Sequence, residues 1–167
     1  MSDQGKEQNR GDETAMTRLL QISVVDDNIS DLMLAEEVFT SFSDQVTITT
    51  YQSGKAVLQA MRPADAILPD VLLLDINMPQ MNGFDVLKAM KADERLKLIP
   101  VVMLTSSAVA QDVTQAYSLF ASSYVVKSVD FENFIEQIES LVAFWTKNRL
   151  LNWPTPIEVT SAVRLSD

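Results

Sequence analysis

The 167-residue chain contains no cysteine and no histidine. Without thiolate or imidazole it cannot build a disulfide framework, a zinc or iron site on those ligands, a Cys or His nucleophile, or a Ser-His-Asp arrangement. Any metal must be held by oxygen. Basic side chains are scarce as well: 13 Lys and Arg stand against 23 Asp and Glu, leaving a formal charge of −10. Scattered as they are, those cations offer no evident way to offset repulsion from a phosphate backbone, so nucleic-acid binding is not expected. No apolar run approaches the roughly 18 residues needed to span a bilayer, and the N-terminus is polar where a secretory signal would be apolar. The expectation is a cytoplasmic protein with no membrane partner.

Residues 1–17 carry two of the 4 glycines and almost nothing apolar. Such a stretch cannot offset the entropy of ordering and reads as a disordered arm. A folded domain is expected over 18–149, followed by an extension over 150–167. Within the domain, short apolar runs recur: Ile22-Ser23-Val24-Val25, Val71-Leu72-Leu73-Leu74, Val101-Val102-Met103-Leu104 and Tyr124-Val125-Val126, with a weaker strand at Val46 to Tyr51. Helix-period stretches separate them. Leu32, Ala35, Phe39 and Phe42 mark the first helix, with Asn28 or Ser30 available as its N-cap. A short second helix runs from about Ser53 to Met61, and Phe84, Leu87 and Met90 mark the third. Val109, Val113, Ala116 and Phe120 mark the fourth. The fifth carries the stripe Phe131, Phe134, Ile135, Ile138, Leu141, Val142, Trp145. Strands that alternate with helices, the inner ones uniformly apolar, predict an α/β fold: a doubly wound, five-stranded parallel sheet with helices on both faces, for which the flavodoxin-like order 2-1-3-4-5 is expected by analogy.

Ligands of such sheets bind beyond the carboxyl ends of the strands. There the first strand ends in Asp26-Asp27, the third in Asp75, the fourth in Thr105-Ser106 and the fifth in Lys127. Asp26 and Asp27 alone read equally as helix caps, Thr105 as an ordinary strand residue and Lys127 as a solvated lysine. Asp75 cannot be a cap, because Ile76-Asn77-Met78-Pro79 follows it, and a carboxylate at the end of a central strand needs a partner. Lys127 is in a position to reach inward and be that partner. Neighbouring strands would bring the three carboxylates within roughly 5 to 8 Å, which is unfavourable unless a cation intervenes. The three Asp and Lys127 sum to a formal −2. One divalent cation cancels that charge, and hard oxygen ligands suit Mg²⁺. A carboxylate so placed can attack phosphorus, with Thr105 offering a hydroxyl to a phosphoryl oxygen.

These residues resemble the receiver domain of two-component response regulators over nearly all of Leu19 to Asn148. The resemblance lies in Val24-Val25-Asp26-Asp27-Asn28, in Leu74-Asp75-Ile76-Asn77-Met78-Pro79-Gln80-Met81-Asn82-Gly83, in Pro100-Val101-Val102-Met103-Leu104-Thr105-Ser106 and in Tyr124-Val125-Val126-Lys127. It implies that Asp75 is the phosphoacceptor, Asp27 a direct Mg²⁺ ligand and Asp26 a ligand largely through water. Asn77 would offer its backbone carbonyl to the metal. Thr105 and Lys127 would hold phosphoryl oxygens, and Tyr124 would be the aromatic switch that follows Thr105. The implied donor is a phosphohistidine on a sensor histidine kinase; a chain with no histidine can only receive.

One position departs from the family pattern. Lys127 is followed by Ser128 where the family usually has a proline after a cis bond. A cis bond before a non-proline residue costs about 2.5–4 kcal/mol, so a trans bond and a reshaped loop are expected. A DNA-binding output domain needs far more chain than follows Arg149, which suggests a single-domain regulator acting through protein contacts. Phe144-Trp145 and Leu150-Leu151-Asn152-Trp153-Pro154 are more apolar than a free tail, and suggest a homodimer through the fourth and fifth helices and the extension. The long last helix and its proline-containing extension are also similar to the regulators paired with bacterial phytochromes, implying a phytochrome-type kinase as partner. The expected protein is no metabolic enzyme, since it would catalyse only its own aspartyl phosphorylation and dephosphorylation. Two other readings compete: a receiver-fold module that binds partners regardless of phosphate, and a hydrolase with an aspartyl nucleophile. The latter needs a second Asp where Asn77 stands.

Overall fold

The computed structural model describes residues 18–148 and 150; the expected arm over 1–17 and, Leu150 aside, the extension over 150–167 lie outside them. Strands and helices alternate as β1 (Leu20–Val25), α1 (Ile29–Thr40), β2 (Val46–Tyr51), α2 (Gly54–Met61), β3 (Val71–Leu74), α3 (Gly83–Lys91), β4 (Val101–Thr105), α4 (Ala110–Ser118), β5 (Ser123–Val126) and α5 (Phe131–Thr146). All strand pairs are parallel, as the apolar runs predict, and the order is the expected flavodoxin-like β2-β1-β3-β4-β5. Every residue of β3 and β4 is buried, because helices cover both faces. Leu72, Leu74, Val101 and Met103 join Val57, Met61, Phe84, Leu87, Met90 and Ala116 in a core shared with α2, α3 and α4. On the opposite face α1 packs against α5. No helix among the described residues is long and apolar enough to cross a membrane.

Caps fix where the helices begin. Asn28, Ser53, Asn82 and Asp130 each accept a hydrogen bond from a backbone N–H in the first turn of α1, α2, α3 and α5. Asn28, not Ser30, caps α1. The fourth helix is shorter than its apolar spacing predicts. Val109 is its N-cap and Phe120 lies beyond its end, both exposed, and only Ala116 of the helix itself is buried. Phe120 has a left-handed φ of 66°. There its N–H bonds the Tyr117 carbonyl and the next N–H, of Ala121, bonds Ala116, which closes the helix in the manner usually reserved for glycine. The expected helix-facing ring is therefore a surface ring. Phe131, the first residue of α5, is likewise exposed rather than part of the buried stripe.

Candidate functional site

Strand register brings the expected residues to one edge. Val25 of β1 pairs with Leu74 of β3, so Asp26 and Asp75 leave the sheet side by side, and the Asp75 N–H bonds the Val25 carbonyl at 3.0 Å. On the other flank Thr105 pairs with Val126, and the Lys127 N–H bonds the Thr105 carbonyl at 2.8 Å. Gly83, at the start of α3, lies against the backbone of the strand end: its N–H bonds the Ile76 carbonyl at 2.8 Å, and a Cβ there would stand 2.2 Å from the Asp75 carbonyl oxygen. Only a glycine lets α3 begin so close to the site.

Asp26, Asp27 and Asp75 each offer a carboxylate oxygen, and these oxygens lie within 4.8 Å of one another. Asp27 is exposed, whereas Asp26 and Asp75 are buried, at 4% and 6% exposure. Asp26 is partnered, through Oδ1 by the Asn28 N–H at 2.9 Å and through Oδ2 by the Lys127 ammonium. Asp75 Oδ1 has no hydrogen-bond partner among the described residues. A buried acceptor with no donor, beside two further carboxylates, is a set of hard oxygens that fits a divalent cation.

Burial, and then the charge of Asp26, push the Asp75 carboxyl up to about 6; Lys127, the Thr105 hydroxyl and the Ile76 backbone oppose the rise. For Lys127 burial works downward, but hydrogen bonds to Asp26 and Asp31 outweigh it and the ammonium titrates above its ordinary range. Lys127 does not bond Asp75, contrary to the expectation from sequence. Its Nζ reaches Asp26 and, at 2.9 Å, Asp31 Oδ2, because two carboxylates at the head of α1 attract it more strongly than one.

Thr105 is fully buried and its Oγ1 accepts from the Ser107 N–H at 3.4 Å. Tyr124 is half-buried, and its hydroxyl donates to the Ser107 carbonyl at 2.9 Å, tying β5 to the loop between β4 and α4. Ser107 in turn donates to Asp112 of α4 at 2.6 Å. Asn77 lies two residues beyond Asp75 and is exposed.

The Lys127–Ser128 bond is trans, as expected for a non-proline residue. Gln137 of α5 braces the loop that follows: its Oε1 accepts the Ser128 N–H at 3.0 Å and its Nε2 donates to the Val126 carbonyl at 2.7 Å. Neither Asp31 nor Gln137 stands out in the sequence, where one reads as a first-turn helix acid and the other as a surface amide.

The family model for the response regulator receiver domain matches residues 22–139. The probable methanogenesis regulatory protein FilR2 of Methanothrix harundinacea is 35% identical over 127 residues, 74% of this chain and 82% of that protein. Among solved structures, the phosphorylated cyanobacterial phytochrome response regulator RcpA is 30% identical with a TM-score of 0.76, over 80% of this chain and 99% of its own. The Mn²⁺-bound form of Rcp1, a response regulator of Synechocystis, is 27% identical with a TM-score of 0.72, over 81% and 99%. A metal-bound relative agrees with the acidic pocket seen here. With a family model that covers most of the folded residues and a relative 35% identical over 74% of its length, the chain belongs to the response regulator receiver family of two-component signalling, with phytochrome response regulators among its relatives.

Proposed function

We propose that the protein accepts a phosphoryl group on Asp75 from a phosphohistidine of a sensor histidine kinase, and signals through protein contacts. The observation that carries this reading is the buried Asp75 Oδ1, which has no hydrogen-bond partner among the described residues while Lys127, Thr105 and two carboxylates surround it. In the reaction an Asp75 oxygen forms a bond to phosphorus as the P–N bond of the donor breaks, and the electron pair returns to the imidazole. Mg²⁺ would be held by Asp26, Asp27, Asp75 and the Asn77 carbonyl, and when bound it offsets the negative charge gathered at the strand ends. Thr105 donates its hydroxyl to one phosphoryl oxygen and Lys127 its ammonium to another. Movement of Thr105 is passed to Tyr124 across the Ser107 loop, which both side chains touch. Intact mass after incubation with Mg²⁺ and acetyl phosphate tests the proposal: a phosphate adduct on the wild type and none on Asp75→Ala is expected, and an adduct on both, or on neither, refutes it.

The phytochrome relatives support a photoreceptor kinase as the partner. For output, Tyr117, Phe120, Val126, Val129, Phe131 and Phe144 expose apolar surface on and around α4, β5 and α5, which supports a homodimer through that face and the C-terminal extension. We read the protein as a cytoplasmic regulator that turns over no external substrate.

A further inference from the structure

Asp31 occupies the third position of α1, and its N–H bonds the Asn28 cap at 3.2 Å. An acid there ordinarily completes a capping box by accepting the N–H of the cap residue. Helix α3 does this, since Asp85 Oδ2 accepts from the Asn82 N–H at 3.1 Å. In α1 the same pattern, Asn28 and then Asp31, is used differently. The Asn28 N–H is already taken by Asp26 Oδ1, and the Asp31 carboxylate turns instead to Lys127, at 2.9 Å. Asp31 is also outside the trio whose oxygens gather within 4.8 Å. A cation bound by that trio would compete with Lys127 for Asp26 and leave the hold of Asp31 intact.

We propose that Asp31 is a positioning residue that holds Lys127 at the head of α1, in competition with an incoming phosphoryl group for the ammonium. This inference rests on Asp75 being the phosphoacceptor. Lys127 carries one positive charge and three N–H donors, two of which already meet carboxylates, so a phosphoryl oxygen on Asp75 draws on the same charge that Asp26 and Asp31 now share. The strength of the Asp31 contact therefore subtracts from the stability of the phosphorylated state. With an amide in place of that carboxylate, the ammonium is released more readily.

The test is a ¹⁹F NMR titration of the full chain with beryllofluoride, a phosphoryl mimic, in the presence of magnesium. It compares wild type, Asp31→Asn, Lys127→Ala and the double variant, with Asp75→Ala as the blank. Asp31→Asn is expected to bind the mimic about two- to fivefold more tightly than wild type, the range a partly exposed ion pair supports, and to have no effect once Lys127 is absent. A merely structural role for Asp31 would act equally in both backgrounds. Should Asp31→Asn not fold, Asp31→Ala is held to the same sign and the same dependence on Lys127. Unchanged or weaker binding, or an effect that persists without Lys127, overturns the role of Asp31 alone. Absence of any Asp75-dependent binding in the wild type overturns the phosphoacceptor reading itself, and the role of Asp31 with it.

Discussion

At Asp75 the physical chemistry works against the resting protein. A carboxyl whose folded pKa is about 6, against an ordinary 3.8, binds its proton more tightly when folded. Native Asp75 therefore contributes stability below the unfolded pKa and loses it as pH rises from about 4 through 6. At neutral pH the buried, poorly partnered charge is a cost. Replacing it with a neutral amide of the same shape should stabilise the metal-free protein at pH 7 by about 1–2 kcal/mol, read as a higher melting temperature, with little gain at pH 4. Thermal melts of Asp75→Asn and wild type at the two values check this, and an equal gain at both would point to packing instead. Asp26, Asp27, Asp75, Thr105 and Lys127 were legible in the sequence because each terminates an apolar run, and a parallel sheet carries such termini to one edge. Asp31 was not, since Asn28 with Asp31 is written in the same letters as Asn82 with Asp85. What distinguishes the two is the arrival of Lys127, 96 residues further along the chain.

Among the elements, α3 illustrates how closely a helix can crowd a site. The Asp75 carbonyl stands 2.2 Å from where a Cβ on Gly83 would be, and that oxygen belongs to backbone that cannot turn aside. Gly83→Ala should therefore cost about 1–3 kcal/mol in urea unfolding and lower the affinity for divalent cations, because relief comes only by shifting the strand end that bears Asp75. A variant with wild-type stability and metal affinity would show that the contact relaxes elsewhere. Helix α4 shows the limit of reading period alone. Val109, Val113, Ala116 and Phe120 keep helical spacing, yet the helix stops at Ser118. A glycine would have announced the stop; here Phe120 adopts the left-handed conformation itself, at a cost of roughly 1–2 kcal/mol that its sequence neighbours do not betray.

Across the whole molecule, the covering of the sheet thins at its edges. Strands β2 and β5 are both largely of intermediate exposure, and β5 is in addition flanked by exposed aromatic and branched side chains on and around α4 and α5. A groove of about 570 Å³ opens between β5 and α5, lined by Val125, Leu141, Phe144 and Trp145 among others. Phe144 packs edge-on against Trp145 with ring centroids 5.0 Å apart, and the buried Trp145 Nε1 lacks an acceptor among the described residues. Burying such surface in a second copy is favourable at about 25 cal/mol per Å². A chain truncated after Asn148 should scatter light as a monomer where the full chain scatters as a dimer; an unchanged mass would remove the extension from the interface.

The Gln137 brace has a mechanical consequence. One amide grips the main chain on both sides of Lys127, at Val126 and at Ser128, from a helix whose outer surface faces solvent. If α5 rolls about its own axis, it must either tear two bonds or drag the ammonium's own backbone with it. A partner that turned α5 from outside would thereby pull on the main chain that carries the lysine.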